Sequence, residues 1–303
     1  MPAASRGAVV AIGNFDGVHK GHRALIGEAA AIAKNLNAPL AALTFEPHPR
    51  EFFQPQADPF RLTLPAQKTR LLEALGVRHL FALPFNAGLA SQSPDEFIDL
   101  LQNKLGARHI VTGPDFAFGK ARAGGVKQLQ EAADKGLFGF TALAPVRCEG
   151  EEPYSSTRIR QLLQQGKFEA AAGLLGWNWA METEVVHGDK RGRELGYPTA
   201  NQQVQRYIRI PYGIYAVRVK IEDEAHWREG AANFGIRPMF RVEQPILETF
   251  IFDFSGDIYG KMMQVQPVAH LRPELEFKGL EALVEQMKQD CAEALTVLKS
   301  TRL

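Results

Sequence analysis

The chain has 303 residues, about twice the length of a typical domain, so the sequence predicts two domains. Hydrophobic residues make up 45% and charged residues 23%, a globular composition that excludes disordered, collagen-like and coiled-coil chains. The formal net charge is +1, and neither half of the chain carries the basic excess that binding a nucleic-acid backbone requires, so no nucleic-acid partner is expected.

Cysteine usage and the apolar runs predict a reduced, cytoplasmic environment. The two cysteines, Cys148 and Cys291, are too few for a disulfide framework or a thiolate zinc site. The apolar run Ala8–Ile12 is too short for a signal peptide, and no stretch approaches the roughly 18 apolar residues of a membrane span. We therefore expect a cytoplasmic protein with no membrane partner.

Up to about residue 145, short apolar runs alternate with longer helical patterns. The predicted strands are Ala8–Ile12, Leu40–Phe45, His79–Leu83, His109–Thr112 and Phe140–Leu143. The predicted helices are Arg23–Asn35, Gln67–Leu75, Pro94–Leu105 and Val126–Lys135. Strands separated by helices indicate an α/β fold, a parallel sheet with helices on both faces, which binds ligands where strands end and helices begin.

The pattern changes in the second part of the chain. Thr157–Leu175 is helical, and from Glu182 onward β-rich runs such as Ile214–Val219 and Leu247–Phe252 are separated by glycine and proline turns, which predicts a small antiparallel barrel. Glu281–Lys299 has the apolar period of a terminal helix. We place the boundary after residue 178, which gives domains 1–178 and 179–303.

A loop with two histidines follows the first strand and opens the first helix, Gly-Asn-Phe-Asp-Gly-Val-His-Lys-Gly-His at residues 13–22. A helix N-terminus presents unpaired N–H groups and a partial positive charge, so it is a natural phosphate site. His19 and His22 are three residues apart and therefore lie on one face, where they can donate hydrogen bonds to a phosphate, and Gly21 lets a nucleotide approach. The alternatives are two solvent-facing histidines or a zinc site, although further zinc ligands are missing.

Three further stretches accompany this loop: Thr-Phe-Glu-Pro-His-Pro at 44–49, Gly-Pro-Asp-Phe-Ala-Phe-Gly at 113–119 and Tyr-Ser-Ser-Thr-Arg-Ile-Arg at 154–160. The hydroxyls of the last stretch stand at the start of a predicted helix, where they cap N–H groups or contact phosphate, and Arg160 adds a fixed cation. Simple helix capping is the alternative for the serines. For Asp115 and Phe116 the alternative is a loop that packs on itself.

In this order, the four stretches resemble the FAD synthetase module of the prokaryotic bifunctional riboflavin kinase/FAD synthetases, a Rossmann-like nucleotidyltransferase domain. The resemblance implies that this domain joins FMN and ATP to form FAD and pyrophosphate, with His19 and His22 as its catalytic groups. It implies ATP- and phosphate-binding roles for a further set of residues: Gly13, Asn14, Phe15, Asp16, Gly21, Asp115, Ser155, Ser156, Thr157 and Arg160.

The densest polar stretch is His-Gly-Asp-Lys-Arg-Gly-Arg-Glu-Leu-Gly-Tyr-Pro-Thr-Ala-Asn at 187–201. Its glycines allow a loop whose N–H groups surround an anion, and its basic residues add positive charge. Thr199 and Asn201 are two apart, so on an extended segment their oxygens face the same way and suit Mg²⁺, which keeps several waters. The alternative is an ordinary glycine-rich hairpin with a polar strand.

This stretch resembles the Mg-ATP motif of the riboflavin kinase module. Further motifs of the same module resemble four later stretches, Tyr212–Val217, Asn233–Pro238, Leu247–Phe254 and Asp257–Gly260. The resemblance implies a six-stranded antiparallel barrel with a terminal helix, Thr199 and Asn201 as metal ligands, and Glu248 as catalytic base. The implied ATP- and flavin-binding residues are Gly188, Lys190, Gly192, Arg193, Gly196, Pro198, Asn233 and Arg237. The chain departs from the usual pattern at Gly125, Thr183, Met239 and Phe250. The alternative for Glu248 is a solvent-facing residue of an edge strand.

The two resemblances together predict a bifunctional enzyme that phosphorylates riboflavin to FMN and adenylylates FMN to FAD. Its expected small-molecule partners are riboflavin, FMN and ATP, with Mg²⁺ as cofactor. One rival is a nucleotidyltransferase for another small phosphate ester. The second half of the chain argues against it, because such an enzyme has no use for the predicted barrel. The other rival is a flavin sensor or storage protein that has lost catalysis, against which the intact His19, His22, Thr199, Asn201 and Glu248 argue. The oligomeric state is not predicted.

Overall fold

A computed structural model describes residues 5–147, 152–188, 192, 195–222, 224–236 and 245–301. Contacts divide the chain into two compact units. The first consists of Met1–Asp58 and Pro65–Ser156, and the second of Pro59–Leu64 and Thr157–Leu303. The predicted α/β fold followed by a β-barrel and a terminal helix is confirmed. The prediction that residues 1–178 and 179–303 are two domains that fold independently stays a prediction.

The first unit contains every strand and helix that the sequence predicts for it. Its strands are β1 Val9–Ile12, β2 Leu40–Glu46, β3 His79–Pro84, β4 His109–Thr112, β5 Ala117–Phe118, β6 Gly124–Gly125 and β7 Gly139–Ala142. Its helices are α1 Lys20–Asn35, α2 Pro49–Phe53, α3 Pro65–Glu73, α4 Ala87–Ala90, α5 Pro94–Asp99 with a π-helical continuation Leu100–Lys104, and α6 Val126–Asp134. The short elements α2, α4, β5 and β6 are additions to the prediction, because segments of two to five residues carry no periodicity.

The five-stranded sheet is parallel, in the order β3-β2-β1-β4-β7. Alternate residues of β1 enter different cores: Val9 and Ala11 pack with Leu25 of α1 and Leu72 of α3, whereas Val10 and Ile12 pack with the side chains of α5 and α6. Helices therefore cover both faces, as predicted. The strand order reverses at β1, and such a reversal leaves a crevice at the carboxyl ends of the strands.

The second unit is a closed barrel with flanking helices. Its elements are α7 Ser156–Gln164, which starts at the last residue of the first unit, α8 Phe168–Leu175, β8 Met181–Val186, β9 Thr199–Gln203, β10 Gly213–Ile221, β11 Arg228–Ile236, β12 Pro245–Ile251, β13 Met262–Arg272 and α9 Leu280–Ser300. The strands pair antiparallel in the order β10-β11-β12-β9-β8-β13, and β13 closes the barrel on β10.

Helix α9 covers part of the outer surface of the barrel. Ala216 of β10 packs against Ala294 and Leu298 of this helix, whereas its neighbours Tyr215 and Val217 point to the other side of the strand and are fully buried in the barrel interior. Among the described residues, the strands that α9 contacts most are β10, β11 and β13, whereas the second candidate site is on β9, β11 and β12.

Cys291 lies on α9 as a free thiol, and Cys148 lies outside the described residues. Burial, with a smaller contribution from the charge of Asp290, raises the pKa of the Cys291 thiol to about 11. The thiol is therefore protonated at neutral pH and a poor nucleophile.

Candidate active sites

The loop between β1 and α1 turns sharply before the helix begins. Phe15 and Val18 have positive φ angles of 51° and 40°, a conformation that is uncommon for residues other than glycine and is often found at functional sites. His19 ends the loop as the N-cap of α1, and its Nδ1 accepts a hydrogen bond of 3.3 Å from the backbone N–H of His22. The first histidine of the motif thus satisfies one of the unpaired N–H groups of the helix start.

This cap also decides which ring nitrogen of His19 carries the proton. Because Nδ1 accepts, the neutral imidazole is protonated at Nε2, which is a hydrogen-bond donor. The ring is 5% exposed and stacks on the His22 ring with centroids 3.6 Å apart, so the prediction that the two histidines share one face is confirmed. A Cβ added at Gly21 would lie 3.1 Å from the His19 ring and 3.2 Å from the Cβ of Tyr154. The glycine therefore makes room for the ring.

A cavity of about 1060 Å³ opens beside this helix start. It lies at the carboxyl ends of the parallel strands, since its wall includes Ile12 at the end of β1, Phe45 of β2, Gly113 after β4 and Leu143 after β7. This is the edge where the strand order reverses. Six of the predicted site residues line the cavity: Gly13, Asn14, His19, Gly21, His22 and Asp115.

The charge on the cavity wall is mostly positive. Arg50, Lys120 and Arg122 line it, and Asp115 is the one carboxylate among the described lining residues. Arg50 lies in the first turn of α2, whose N-cap His48 also lines the cavity. None of these cations was predicted as a site residue, although Arg50 and Lys120 directly follow stretches on which the resemblance rests and Arg122 lies close behind Lys120.

Aromatic side chains form much of the remaining wall, in two groups. In the first group the rings of Phe53 and Phe85 lie 5.6 Å apart, and in the second those of Phe97 and Phe118 lie 4.8 Å apart. Phe116, which belongs to the second group, lines the cavity as well, so its loop does not only pack on itself. Single phenylalanines gave no signal in the sequence, because buried aromatic residues are usually part of a core.

The remaining predicted residues of this site do not line the cavity in the described structure. Phe15 and Asp16 belong to the loop but are buried, 0% and 2% exposed. The hydroxyl of Ser156 donates a 2.9 Å hydrogen bond to the carbonyl of Asp16. Ser155, Ser156 and Thr157 are likewise not among its lining residues. The contacts of Ser156 indicate that it supports the loop that carries the histidines.

Arg160 is placed differently from the cavity residues. It belongs to the second unit, where its Nε donates a 2.7 Å hydrogen bond to the carbonyl of Phe60 and its guanidinium lies 5.1 Å from the centre of the Phe60 ring. The described residues that line the cavity all belong to the first unit. A role for Arg160 in nucleotide binding stays a prediction.

In the barrel, the strand register brings three predicted site residues together. Asn201 of β9 pairs with Glu248 of β12, and Glu248 pairs with Asn233 of β11. Residues directly opposite one another in an antiparallel sheet point to the same face, so an amide, a carboxylate and a second amide lie side by side. Because β12 lies between β11 and β9 in a closed barrel, Glu248 is not on an edge strand, and its side chain is half-buried.

Gly188, at the start of the glycine-rich stretch, lies directly against Asn201. The amide nitrogen of Asn201 donates a 3.2 Å hydrogen bond to the carbonyl of Thr199, which orients the amide group. A Cβ at Gly188 would lie 2.5 Å from both Oδ1 and Nδ2 of Asn201, so only glycine allows this approach. Gly192 accepts a 2.8 Å hydrogen bond from the N–H of Tyr197, and Gly196 has a φ of 84°. The glycines thus shape the loop around the Thr199–Asn201 segment.

The other residues predicted for the barrel site are partly described. The side-chain oxygen of Asn233 is buried and has no hydrogen-bond partner in the described structure. Pro198 is exposed immediately before Thr199. Lys190, Arg193 and Arg237 lie outside the described residues. A buried amide oxygen without a protein donor, adjacent to Glu248, is the kind of group that a ligand satisfies.

Comparison with known proteins matches a family model to each of the two parts of the chain. Residues 1–158 match the family model described as FAD synthetase, and residues 175–298 match the one described as riboflavin kinase. A bifunctional riboflavin kinase/FMN adenylyltransferase from Bacillus subtilis (strain 168) is 38% identical over 97% of this chain and 94% of its own length. The chain belongs to this family. The protein of the same description from Pseudomonas fluorescens is 40% identical over 95% of this chain and 92% of its own length.

A solved structure shows the same fold. The crystal structure of a protein from Streptococcus pneumoniae, described as a macrolide-efflux protein, matches with a TM-score of 0.83 and 31% identity over 100% of this chain and 96% of that one. Across the described part of this family member, no helix combines the length and the apolar character that crossing a membrane requires.

Proposed function

We propose that each unit performs one of two consecutive reactions of flavin-cofactor synthesis. The barrel transfers the terminal phosphoryl group of ATP to riboflavin and forms FMN, and the parallel-sheet unit transfers the adenylyl group of ATP to FMN and forms FAD. Both activities are those of the family to which the chain belongs. The assignment of individual residues rests on the two constellations described above.

In the cavity of the first unit, the nucleophile is a phosphate oxygen of FMN. It attacks the α-phosphorus of ATP, the bond to the bridging oxygen breaks, and pyrophosphate leaves. Because the attacking oxygen is already anionic, this step needs charge stabilisation rather than a general base. The site fits that requirement, since it offers the Nε2–H of His19, His22 and the N-terminus of α1, with one carboxylate, Asp115, in the described lining.

The aromatic groups of the cavity wall suit the flavin ring. A planar, largely apolar tricycle gains contact area and stacking from phenylalanine faces and edges. Phe53 lines the cavity with a side chain that is 64% exposed, so its ring is accessible to a flavin bound there. The cations Arg50, Lys120 and Arg122 add attraction for substrates that carry several phosphates.

In the barrel, the nucleophile is the terminal hydroxyl of the ribityl chain of riboflavin. This hydroxyl must lose its proton as its oxygen attacks the γ-phosphorus of ATP and ADP leaves. Glu248 accepts the proton, and its position between Asn201 and Asn233 on one face of the barrel is the observation that carries this assignment. The barrel site, where an alcohol is the nucleophile, therefore has a general base, whereas the cavity of the first unit, where an anionic phosphate is the nucleophile, needs none.

The donor set of the barrel site fits Mg²⁺. Thr199 and Asn201 supply neutral oxygens, which suit a hard cation whose other ligands are phosphate and water oxygens, and Gly188, which has no side chain, packs directly against the Asn201 amide. Thr199 and Asn201 would hold the ion, which would supply charge neutralisation on the ATP phosphates. The described residues contain no cluster of three His, Cys, Asp or Glu side chains that would favour another metal.

A pair of reciprocal variants tests the assignment of one reaction to each unit. Replacing both His19 and His22 by Ala should stop FAD formation and let FMN accumulate, since a donor to transition-state charge contributes about 2.7–4 kcal/mol. Glu248→Gln cannot accept a proton, so it should slow FMN formation by ~10²–10⁴ while FAD synthesis from supplied FMN continues. Purified variants are incubated with riboflavin or FMN and Mg-ATP, and the flavins are separated by chromatography.

Matched controls accompany both variants. His79→Ala removes a half-buried histidine of β3, and Glu184→Gln changes an exposed glutamate of β8; neither lies at a proposed site, so both reactions should proceed at the original rates. Normal FAD formation without both histidines would refute the first site. Normal FMN formation by Glu248→Gln would place the base elsewhere.

A further inference from the structure

The side chain of Lys68 is a buried cation beneath the histidine loop. Lys68 lies on α3 and is 1% exposed, and it is not among the residues that line the cavity. Its Nζ donates hydrogen bonds to Oε1 of Glu46 at 2.5 Å, to Oγ1 of Thr44 at 3.2 Å and to the backbone carbonyl of Asn14 at 3.2 Å. The ammonium group, which has three donors, thus contacts a carboxylate, a hydroxyl and a backbone carbonyl.

These contacts join the ends of two strands to the loop. Thr44 and Glu46 stand at the carboxyl end of β2, and Asn14 is the second residue after β1. The carbonyl of Asn14 accepts a second hydrogen bond, of 3.1 Å, from the hydroxyl of Thr44. The carbonyl is therefore held from below by a charged donor and a neutral one, and a charge-assisted bond in a buried place is the stronger of the two.

Holding this carbonyl orients the peptide group that follows it. In a trans peptide the N–H points opposite to the C=O, so the N–H of Phe15 points away from the buried ammonium. Asn14 itself lines the cavity, and the loop reaches His19 after the positive φ angles of Phe15 and Val18. A loop that contains such conformations keeps its shape only where surrounding contacts hold it.

We propose that Lys68 is a positioning residue for adenylyl transfer: it holds the carbonyl of Asn14 and thereby sets the position of the loop that presents His19 and His22 to the reacting phosphates. The proposal rests on the assignment of adenylyl transfer to this cavity. A residue of this kind acts on the transition state through other groups, so its loss lowers kcat more than it raises KM.

A purely structural ion pair between Lys68 and Glu46 would have other consequences. It would matter for the stability of the first unit and would leave the turnover of folded protein unchanged. Glu46→Gln separates the two cases, because it removes the charge of the partner but keeps an oxygen that accepts from Lys68. The bond from Lys68 to Asn14 then remains.

The test compares kinetic constants for FMN adenylylation in the full-length protein. Lys68→Met keeps the length of the side chain and removes its donors; it should lower kcat by ~10–100-fold and change the KM for FMN and for ATP by less than about threefold. Thr44→Val, which removes the second donor to Asn14, should lower kcat by a smaller factor, and Glu46→Gln should retain most of kcat. Thr44→Val keeps the idea testable if Lys68→Met does not fold.

Leu72→Ala is the control for destabilisation. Leu72 lies on the same helix, is 1% exposed, packs in the core and is not among the described residues at the cavity, so its truncation should lower the melting temperature without changing kcat at 25 °C. Riboflavin phosphorylation should stay at the original rate in all of these variants. An unchanged kcat for both Lys68→Met and Thr44→Val would overturn the proposal.

A double-mutant cycle with His22→Ala identifies the route of the effect. If Lys68 acts through the loop, Lys68→Met should lower kcat by a smaller factor in the His22→Ala background than in the original protein, because one of the two histidines that it positions is already missing. Fully multiplicative losses would show that Lys68 acts elsewhere and would refute the proposal alone. If His22→Ala itself leaves adenylylation unchanged, the assignment of the cavity fails instead.

Discussion

At the scale of single residues, the kinase site depends on close packing around one amide. The side chain of Asn201 is 8% exposed, its Nδ2 donates to the carbonyl of Thr199, and the Cα of Gly188 lies against it. Gly188 does not need a left-handed backbone, since its φ is not positive in the described structure. Gly188 is therefore needed because it has no side chain. Its backbone can pack against the Asn201 amide, and this contact keeps a proposed metal ligand in place.

Adding one methyl group at Gly188 tests this arrangement. In Gly188→Ala the new Cβ would meet the Asn201 amide at 2.5 Å, so the amide or the loop must move. We expect the KM for Mg-ATP in riboflavin phosphorylation to rise about tenfold, while FMN adenylylation stays unchanged. Steady-state kinetics of both reactions measure this.

The matched control is Gly173→Ala on α8. A Cβ there meets no atom within 4 Å, and alanine in a helix is more favourable than glycine by roughly 0.5–1 kcal/mol. This variant should keep both activities and melt at the same or a slightly higher temperature. Equal kinetics for the two variants would mean that the contact between Gly188 and Asn201 has no part in nucleotide binding.

At the scale of elements, one ion pair fastens α9 to the barrel. Arg272 at the end of β13 donates to both carboxylate oxygens of Asp290 at 2.7 and 2.6 Å, and Asp290 is 4% exposed. Gln286, one turn earlier on the helix, donates a further 3.0 Å bond to the same carboxylate. At the C-terminal end of α9, Arg218 of β10 donates to the carbonyls of Leu298 and Thr301. Polar contacts therefore hold the middle and the C-terminal end of the helix, with apolar packing between them.

Removing one partner of the buried pair should weaken the barrel. Asp290→Ala leaves the Arg272 guanidinium without its carboxylate, and breaking such a pair costs about 3–5 kcal/mol. We expect riboflavin phosphorylation to be lost at a lower temperature, whereas the thermal loss of FMN adenylylation is unchanged. Replacing the pair together, by Arg272→Met and Asp290→Leu, should restore most of the lost stability. A double variant as unstable as Asp290→Ala would contradict this account.

At the scale of the whole molecule, a short segment of the N-terminal half belongs to the second unit. In Pro59–Leu64, Phe60, Arg61 and Leu62 are 5%, 0% and 0% exposed. The carbonyl of Arg61 accepts a 2.9 Å bond from the N–H of Ile208, and that of Leu62 accepts a 2.8 Å bond from the indole of Trp179. The second unit is thus built from two separate parts of the chain.

This construction predicts how fragments of the chain behave. A fragment of residues 179–303 retains the barrel but lacks α7, α8 and the 59–64 segment. We expect it to phosphorylate riboflavin without forming FAD, and, because it lacks α7 and α8, to melt at a lower temperature than a fragment of residues 157–303. Both fragments lack the 59–64 segment, in which burying Phe60 and Leu62 alone is worth roughly 3–6 kcal/mol.

A synthetic peptide of residues 58–65 extends this test. It should raise the melting temperature of the 157–303 fragment, because a ligand that binds only the folded state stabilises it. A version with Leu62→Ala is the control and should have less effect. If the 179–303 fragment is as stable as the longer one, the flanking helices contribute nothing to the barrel, and the domain boundary lies where the sequence places it.

The sequence alone was enough to predict the longer elements of the first unit, the barrel class of the second, and the parts of both sites that local chemistry decides. Apolar runs and helical periods located the five strands of the parallel sheet and the terminal helix, because period and burial are local properties of the chain. The spacing of His19 and His22 predicted a shared face at a helix start. The spacing of Thr199 and Asn201 on a strand likewise follows from the pleat.

Only the tertiary structure decided which distant residues meet. The pairing of Glu248 with Asn201 and Asn233 depends on the register of three strands, and a shift by one residue would turn Glu248 to the opposite face. Lys68 looks like an ordinary helix lysine in the sequence, yet the fold buries it against Asn14 and Glu46. Contacts across tens of residues arise from the packing of whole elements, and the spacing within any one element does not contain them.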